Sequence, residues 1–259
     1  MGESSVDEVL KVCEATMTTG DGFEFHKFSI DAYNSAVSED FQLPFKPNTL
    51  AVLLISSPKM FDISFAKWIR EKLDKLGTMS AVSEAFPSPI AQFLDERLEE
   101  LYKNLSYPCE TIHDHHLWPS RRPKILMQTC GHVAGAAFYY QPKNFQDENW
   151  PPSKPMDKGS KFIGLSLHPV YGGHFAFRSV LIFPEVKIEN SERSSPGSIL
   201  EDPEEIKKML EEFNFNWRTS GFRDFGNPKH RYSPEQVAYF GLAPAERWAF
   251  LESWLVKGN

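Results

Sequence analysis

Cysteine is scarce in this sequence: three residues in 259, Cys13, Cys109 and Cys130, at unrelated spacings. They supply neither an even-numbered disulfide framework nor a CxxC metal pair. Long apolar runs are missing too, and none approaches the roughly 20 residues that a membrane-spanning helix needs. The acidic opening MGESSVDEVL lacks the apolar run of a signal peptide and the arginine-rich look of a transit peptide. Val6 stands where a myristoylation pattern requires Ser or Thr, with Ser5 one place early. Positive charge is in deficit, and a net charge of −7 argues against a nucleic-acid partner, because phosphate contact needs a basic face. Neither GxGxxG nor GxxxxGK[ST] occurs, which removes dinucleotide-Rossmann and P-loop chemistry. Ser166 in GLSLH lacks the closing glycine of a nucleophile elbow. These absences leave a cytoplasmic protein with neither membrane nor nucleic acid as partner.

What is plentiful is aromatic: 21 Phe, 8 Tyr and 6 Trp. Such a surplus fills a bulky core or lines a site for a large apolar ligand. One stretch, RRPKILMQTCGHVAGAAFYYQ from Arg121 to Gln141, organises the rest. Ile125, Leu126, Val133 and Ala137 recur on one side of a helix, while Gly131, Ala134, Gly135 and Ala136 leave another side nearly bare. A bare face admits a neighbouring backbone or a broad flat ligand, so it reads either as a packed core helix or as a cofactor wall. Phe138, Tyr139, Tyr140 and Gln141 then close the stretch with three aromatics and an amide.

In chain order, Ser5 is positioned to cap a first helix whose apolar face runs through Val9 and Cys13 to Met17, with Gly20 as its stop. Phe23, Phe25 and Phe28 predict a strand. The run Asn48 to Ser56 predicts a central buried strand. Helical spacing follows from Met60 to Leu76, ended by Gly77, and again after Pro87 and Pro89. A short strand is expected between Pro108 and Pro119, and a surface loop from Pro142 to Lys161. Phe162 to Leu167 and His174 to Phe183 read as a hairpin through HPVYGG. Ile188 to Ser198 is a polar connection, and Pro203 to Phe213 an acidic amphipathic helix. Ser233, Pro234 and Gln236 form a capping box, and a last helix spans Ala243 to Val256. The pattern predicts an α+β fold, a mainly antiparallel sheet flanked by helices. One domain over 1–259 is expected, with the N-terminal helix (5–18) and the C-terminal helices (233–256) part of it.

His113, Asp114, His115 and His116 are the densest group of metal-ligand types. Zinc is conceivable there, but no second cluster is spaced to complete a site, and a solvated strand end explains them as well. Three arginines sit in unusual company: Arg178 in HFAFRSV, Arg223 among aromatics, and Arg247 in the last helix. Each alone suggests a salt bridge, with Asp224 and Glu246 as adjacent candidates. Together they suit an anionic ligand, since a guanidinium fork matches a carboxylate.

RRPKILMQTCGHVAGAAFYYQ, HPVYGGHFAFR, FNFNWRTSGFRD and RYSPEQVAYF with PAER after it, in that order, resemble the MMACHC (CblC) family of cytosolic cobalamin-processing proteins. The resemblance runs from about Phe23 to Arg247 and looks like that of an invertebrate member. It implies a fold similar to flavin-dependent nitroreductases and NADPH-flavin reductases. Two activities are implied: reductive decyanation of cyanocobalamin by reduced flavin (FMN or FAD) with NADPH, and dealkylation of methyl- and adenosylcobalamin by transfer to glutathione. It places cobalamin contacts at Asp114, Ile125, Leu126, Met127, Gln128, His132, Tyr139, Tyr140, Gln141, Ser166 and Phe177. It makes Arg178, Arg223 and Arg247 the glutathione-binding residues, with no protein ligand to a metal and no catalytic side chain beyond cobalt and the thiol. A CblD-type (MMADHC) adaptor and a flavoprotein reductase are the implied partners.

Ser166 stands where vertebrate members carry a cysteine, which favours a free thiol as nucleophile. The sequence ends at Asn259, without the Pro-rich extension of vertebrate members, so tail-mediated interactions are not expected. The lower-ligand motif D-x-H-x-x-G fails because Pro119 follows Asp114 and His116 at the glycine position. Family behaviour therefore implies base-off binding with a weak lower ligand or none, the cobalt carrying the chemistry while the protein orients it. A non-catalytic cobalamin carrier and a general flavin reductase stay open as rivals.

Overall fold

A computed structural model describes residues 4–152, 161–189 and 196–257. Its elements, in order, are α1 (Ser5–Thr16), β1 (Phe23–Ser29), α2 (Ile30–Asn34), β2 (Thr49–Ser56), α3 (Ala66–Leu76), α4 (Met79–Ala85), α5 (Pro89–Asn104), β3 (Glu110–His113), α6 (Met127–Val133), β4 (Phe138–Tyr140), β5 (Leu165–Leu167), β6 (Ala176–Lys187), α7 (Pro203–Asn216), α8 (Pro234–Gly241) and α9 (Arg247–Lys257). Helices and antiparallel strand pairs together make the fold α+β. The chain forms two compact units, one of Met1–Glu24, Ser56–Ser106 and Tyr232–Asn259, the other of Phe25–Ile55 and Tyr107–Arg231.

The first unit is helical. Ser4, not Ser5, caps α1, its hydroxyl accepting the N–H of Asp7, and Val9, Cys13 and Met17 are buried as their spacing predicts. The segment expected as one helix from Met60 begins as a π-helical turn, Met60–Phe65, before α3. Gly77 ends α3 in the left-handed region at φ 81°, which favours glycine. The rings of Phe61, Phe65, Phe93 and Tyr239 pack edge to face or tilted in its core. Ser233 caps α8 by accepting the N–H of Gln236, but the reciprocal half of the expected capping box is missing: both amide atoms of Gln236 are buried without a partner among the described residues.

The second unit holds a four-stranded sheet ordered β1-β2-β6-β3 and a two-stranded ribbon of β4 and β5. Every residue of β2 is buried, as its unbroken apolar run predicts. The expected hairpin does not form. β5 pairs with β4, while β6 pairs antiparallel with β3, so strands adjacent in sequence lie in different sheets. Two cores result. One gathers Tyr33, Leu53, Ile125, Cys130, Phe175 and Val180, and the other Tyr140, Trp150, Leu167, Met209 and Phe222. Trp150 is buried and donates its Nε1–H to Glu211, so the expected loop from Pro142 is anchored where it is described; residues 153–160 of it, and 190–195 of the later connection, lie outside the described residues.

Candidate functional site

The organising stretch is not one long helix. Pro123 and the extended Leu126 hold its start out of helical geometry, leaving α6 seven residues long. At its end the carbonyl of Gly131 accepts from both Ala136 and Ala137, at 2.9 and 3.1 Å, and Gly135 turns the chain with φ 73°. Gly135 is therefore a turn glycine and not part of a smooth helix face. The start is pinned by Tyr33, whose buried hydroxyl accepts the Leu126 N–H at 3.0 Å. Burial raises that phenol's pKa well above its ordinary value, so it stays protonated. Nothing in the local sequence around Tyr33 signals this role.

From α6 the chain feeds the β4–β5 ribbon, in which Tyr139 lies opposite Ser166. Directly opposed residues share a face of an antiparallel pair. Gln128 ties the helix to that ribbon: its Nε2 donates to the Gly164 carbonyl at 2.9 Å, and its Oε1 accepts from the Ser166 hydroxyl at 3.1 Å. The two bonds fix which way the amide points. Gly164 makes room for this arrangement, since a Cβ there would stand 2.5 Å from the Tyr140 carbonyl and 2.6 Å from the Tyr139 ring. His132, half-buried on α6, accepts the Tyr139 N–H at Nδ1. Its neutral form then carries the proton on Nε2 as a donor. Burial lowers its pKa and favours that neutral form.

The bare helix face is filled. A Cβ on Gly131 would meet the Phe177 ring at 2.5 Å, so a side chain of this protein, not a ligand, lies against that glycine. The half-buried apolar side chains Leu126, Met127, Val133 and Phe177 sit on the edge of the core and offer an apolar surface beside the ribbon. Ile125 and Tyr140 point the other way. Ile125 is in the first core, and the Tyr140 hydroxyl, deep in the second, accepts the N–H groups of Ile199 and Leu200 at 2.8 and 2.6 Å. Gln141 follows β4, half-buried. Asp114 joins the group through its backbone, donating its N–H to the Arg178 carbonyl at 3.0 Å. Its carboxylate stands 3.2 Å from the His115 Nδ1.

Arg178, buried on β6, and Arg223, in the turn Gly221–Asp224, belong to this second unit. Arg223 donates from Nη1 to the Gly173 carbonyl and lies 4.7 Å over the Phe222 ring. Arg247 belongs to the helical unit, where it lies 5.1 Å over the Tyr239 ring. Its Nε is buried with no hydrogen-bond partner among the described residues, an orphan donor of the kind an anion satisfies. The adjacent acids serve elsewhere: Asp224 pairs with Arg231 and His174, and Glu246 accepts the N–H of Ala243.

The rings of His113, His115 and His116 cluster with centroids 4.7–5.3 Å apart. His113 Nδ1 is bonded to the Ser179 hydroxyl at 2.9 Å, and His116 Nδ1 accepts the His113 N–H. An acceptor Nδ1 puts the proton of neutral His116 on Nε2, which makes it a donor and a poor metal ligand. The same logic applies to His168, whose Nδ1 accepts the N–H groups of Val170 and Tyr171.

Comparison with known proteins agrees with the resemblance read from the motifs. The profile of the methylmalonic aciduria and homocystinuria type C family, MMACHC, matches residues 22–251. The chain is 50% identical to an MMACHC-like protein of Caenorhabditis elegans, over 98% of this chain and 96% of that one. It is 34% identical to the cyanocobalamin reductase / alkylcobalamin dealkylase of Homo sapiens, over 96% of this chain and 83% of that protein. The crystal structure of a C. elegans B12-trafficking protein, CblC, superposes with a TM-score of 0.92 at 50% identity, covering 96% of each chain. With the family profile spanning most of its length and this structure superposing along it, the chain belongs to the MMACHC family.

Proposed function

We propose that this protein binds cobalamin and removes its upper ligand, decyanating cyanocobalamin and dealkylating alkylcobalamins. Its relatives in chicken, human and zebrafish carry the name cyanocobalamin reductase / alkylcobalamin dealkylase. The observation that carries the reading within this chain is the bonded set of Gln128, His132, Tyr139 and Ser166 beside the half-open apolar edge of Leu126, Met127 and Phe177. A corrin is flat and apolar across its face and rimmed by amides, so it suits an apolar edge flanked by an oriented amide and an imidazole donor. Ile125 and Tyr140 act from behind, as the packed wall that keeps this edge in place, and Gln141 and Asp114 contact the corrin rim and its tail.

Cobalamin binds base-off. The tail nitrogen leaves cobalt, and no protein imidazole replaces it, because the lower-ligand motif fails at Pro119. Losing that donor makes Co(III) easier to reduce and the alkyl carbon more open to attack. In dealkylation the glutathione thiolate forms the new sulfur–carbon bond, and the cobalt–carbon pair stays on the metal as Co(I). Arg178 and Arg223 hold a glutathione carboxylate, and a nearby guanidinium favours the thiolate; Arg247, in the helical unit, offers an anion the Nε–H that has no partner among the described residues. In decyanation Co(III) takes one electron and cyanide departs with its bonding pair. Reduced FMN or FAD, regenerated with NADPH by a partner reductase, supplies that electron. The likeness to flavin-dependent reductases, the CblD-type adaptor and a cytoplasmic location belong to the same reading. Visible spectra of cyanocobalamin titrated into the purified protein, with and without reduced flavin, test it. An unchanged spectrum in both arms sinks it; a bound but unreactive cobalamin favours a carrier.

A further inference from the structure

Arg223 is held from two sides, and only one of them is backbone. The Gly173 N–H donates to the Arg223 carbonyl at 2.9 Å, and the Arg223 guanidinium returns a bond to the Gly173 carbonyl. The approach is close: a Cβ on Gly173 would stand 2.8 Å from the Arg223 Cα, and one on Gly172 2.7 Å from its carbonyl oxygen. The next residue, His174, adds a side-chain tie. Its imidazole is 5% exposed, the His174 backbone N–H donates to the Tyr171 carbonyl, and the ring Nε2 lies 3.1 Å from Oδ1 of Asp224. Asp224 immediately follows Arg223 and also accepts from Arg231 Nε at 2.7 Å. The imidazole therefore faces one carboxylate, Asp224, with the guanidinium groups of Arg223 and Arg231 close enough to act on its charge.

We infer that His174 is a positioning residue for Arg223: through Asp224 it bolts the turn Gly221–Asp224 to the Gly172–Gly173 turn and holds the neighbouring carboxylate on the His174–Arg231 side. This rests on the reading that Arg223 grips a glutathione carboxylate. Asp224 immediately follows Arg223, so its bond to His174 fixes the backbone from which the Arg223 fork projects, and a guanidinium grips a carboxylate best when that fork is held in one orientation. His174 touches neither cobalamin nor glutathione in this scheme, and its effect is confined to anion affinity.

The test is steady-state dealkylation of methylcobalamin at varied glutathione, comparing His174→Phe, His174→Gln, Asp224→Ala and Arg223→Gln. His174→Phe and Asp224→Ala should raise the KM for glutathione about tenfold, the usual scale for a lost hydrogen bond to a charged group. Turnover at saturating glutathione and the affinity for cobalamin should stay within about twofold of the parent, since the lost bond joins two side chains that contact neither cobalamin nor the thiol in this reading. His174→Gln should restore the KM, because its amide N–H reaches where Nε2 does. Asp224 is 56% exposed at its side chain, so Asp224→Ala decides the matter if His174→Phe fails to fold. A KM unchanged in both variants, a parallel loss of cobalamin affinity, or no rescue by glutamine overturns the inference. An Arg223→Gln variant with normal glutathione KM removes the glutathione reading itself, and this inference with it.

Discussion

Gly131 and Phe177 share one place in the fold: the space a side chain on Gly131 would need, 2.5 Å from Cε1 and 2.6 Å from Cζ, is occupied by the Phe177 ring. The ring in turn belongs to the apolar edge proposed to meet the corrin. Packing of α6 and shape of the site are thus one property.

Gly131→Leu should therefore over-pack this contact, at a cost of about 1–3 kcal/mol. Melting temperature and cobalamin affinity should fall together, because the displaced ring is part of the proposed ligand edge. Gly135→Leu should also destabilise, for a different reason: its φ of 73° disfavours any L side chain. Unchanged melting and binding in Gly131→Leu would show the ring free to move aside.

Binding to methylcobalamin should shift its absorption to shorter wavelength, as loss of the lower nitrogen ligand requires. The motivation is the failed motif at Pro119 together with the acceptor role of His116 Nδ1, which leaves that ring a donor. A base-on spectrum at saturating protein contradicts this.

Arg178→Gln should reduce glutathione-dependent dealkylation by the equivalent of about 2–5 kcal/mol, the loss typical for one partner of a buried charge pair. Decyanation by reduced flavin requires no glutathione and should suffer much less. Both reactions are assayed on the same folded variant after cobalamin binding is confirmed. Equal loss of both would assign Arg178 to the fold or to the corrin instead.

Acid should weaken the site through His132. Burial lowers its pKa, so the unfolded chain takes up the proton first, and stability falls as pH drops below the ordinary histidine value near 6.5. Protonation at Nδ1 also breaks the bond from the Tyr139 N–H. His132→Asn keeps an acceptor without a titration, so its cobalamin affinity should vary less than the parent's between about pH 7 and 5.5. Identical pH profiles would assign the acid sensitivity to other groups, His174 and His116 among them, whose pKa values burial also lowers.

Local features were legible without any structure. The unbroken apolar run of β2, the amphipathic spacing of α5 and α7, Gly77 at the end of α3 and Ser233 before Pro234 all declare themselves within a few residues. The ordered motifs around Arg121 to Gln141, Arg178 and Arg223 likewise carried the family. Pairing was not legible. Two strands one turn apart look like a hairpin because the shortest loop closes at the least entropy, yet Gly172 and Gly173 close on Arg223 and the two strands pair with different partners. Nor does spacing say that Ile125 and Tyr140 turn into two separate cores, that Phe177 fills the space at Gly131, or that Ser166 aims the Gln128 amide. Periodicity encodes which residues seek burial. Which neighbour they meet is decided by close packing and by the need of each buried polar group for a partner, and both are settled between segments far apart in the chain.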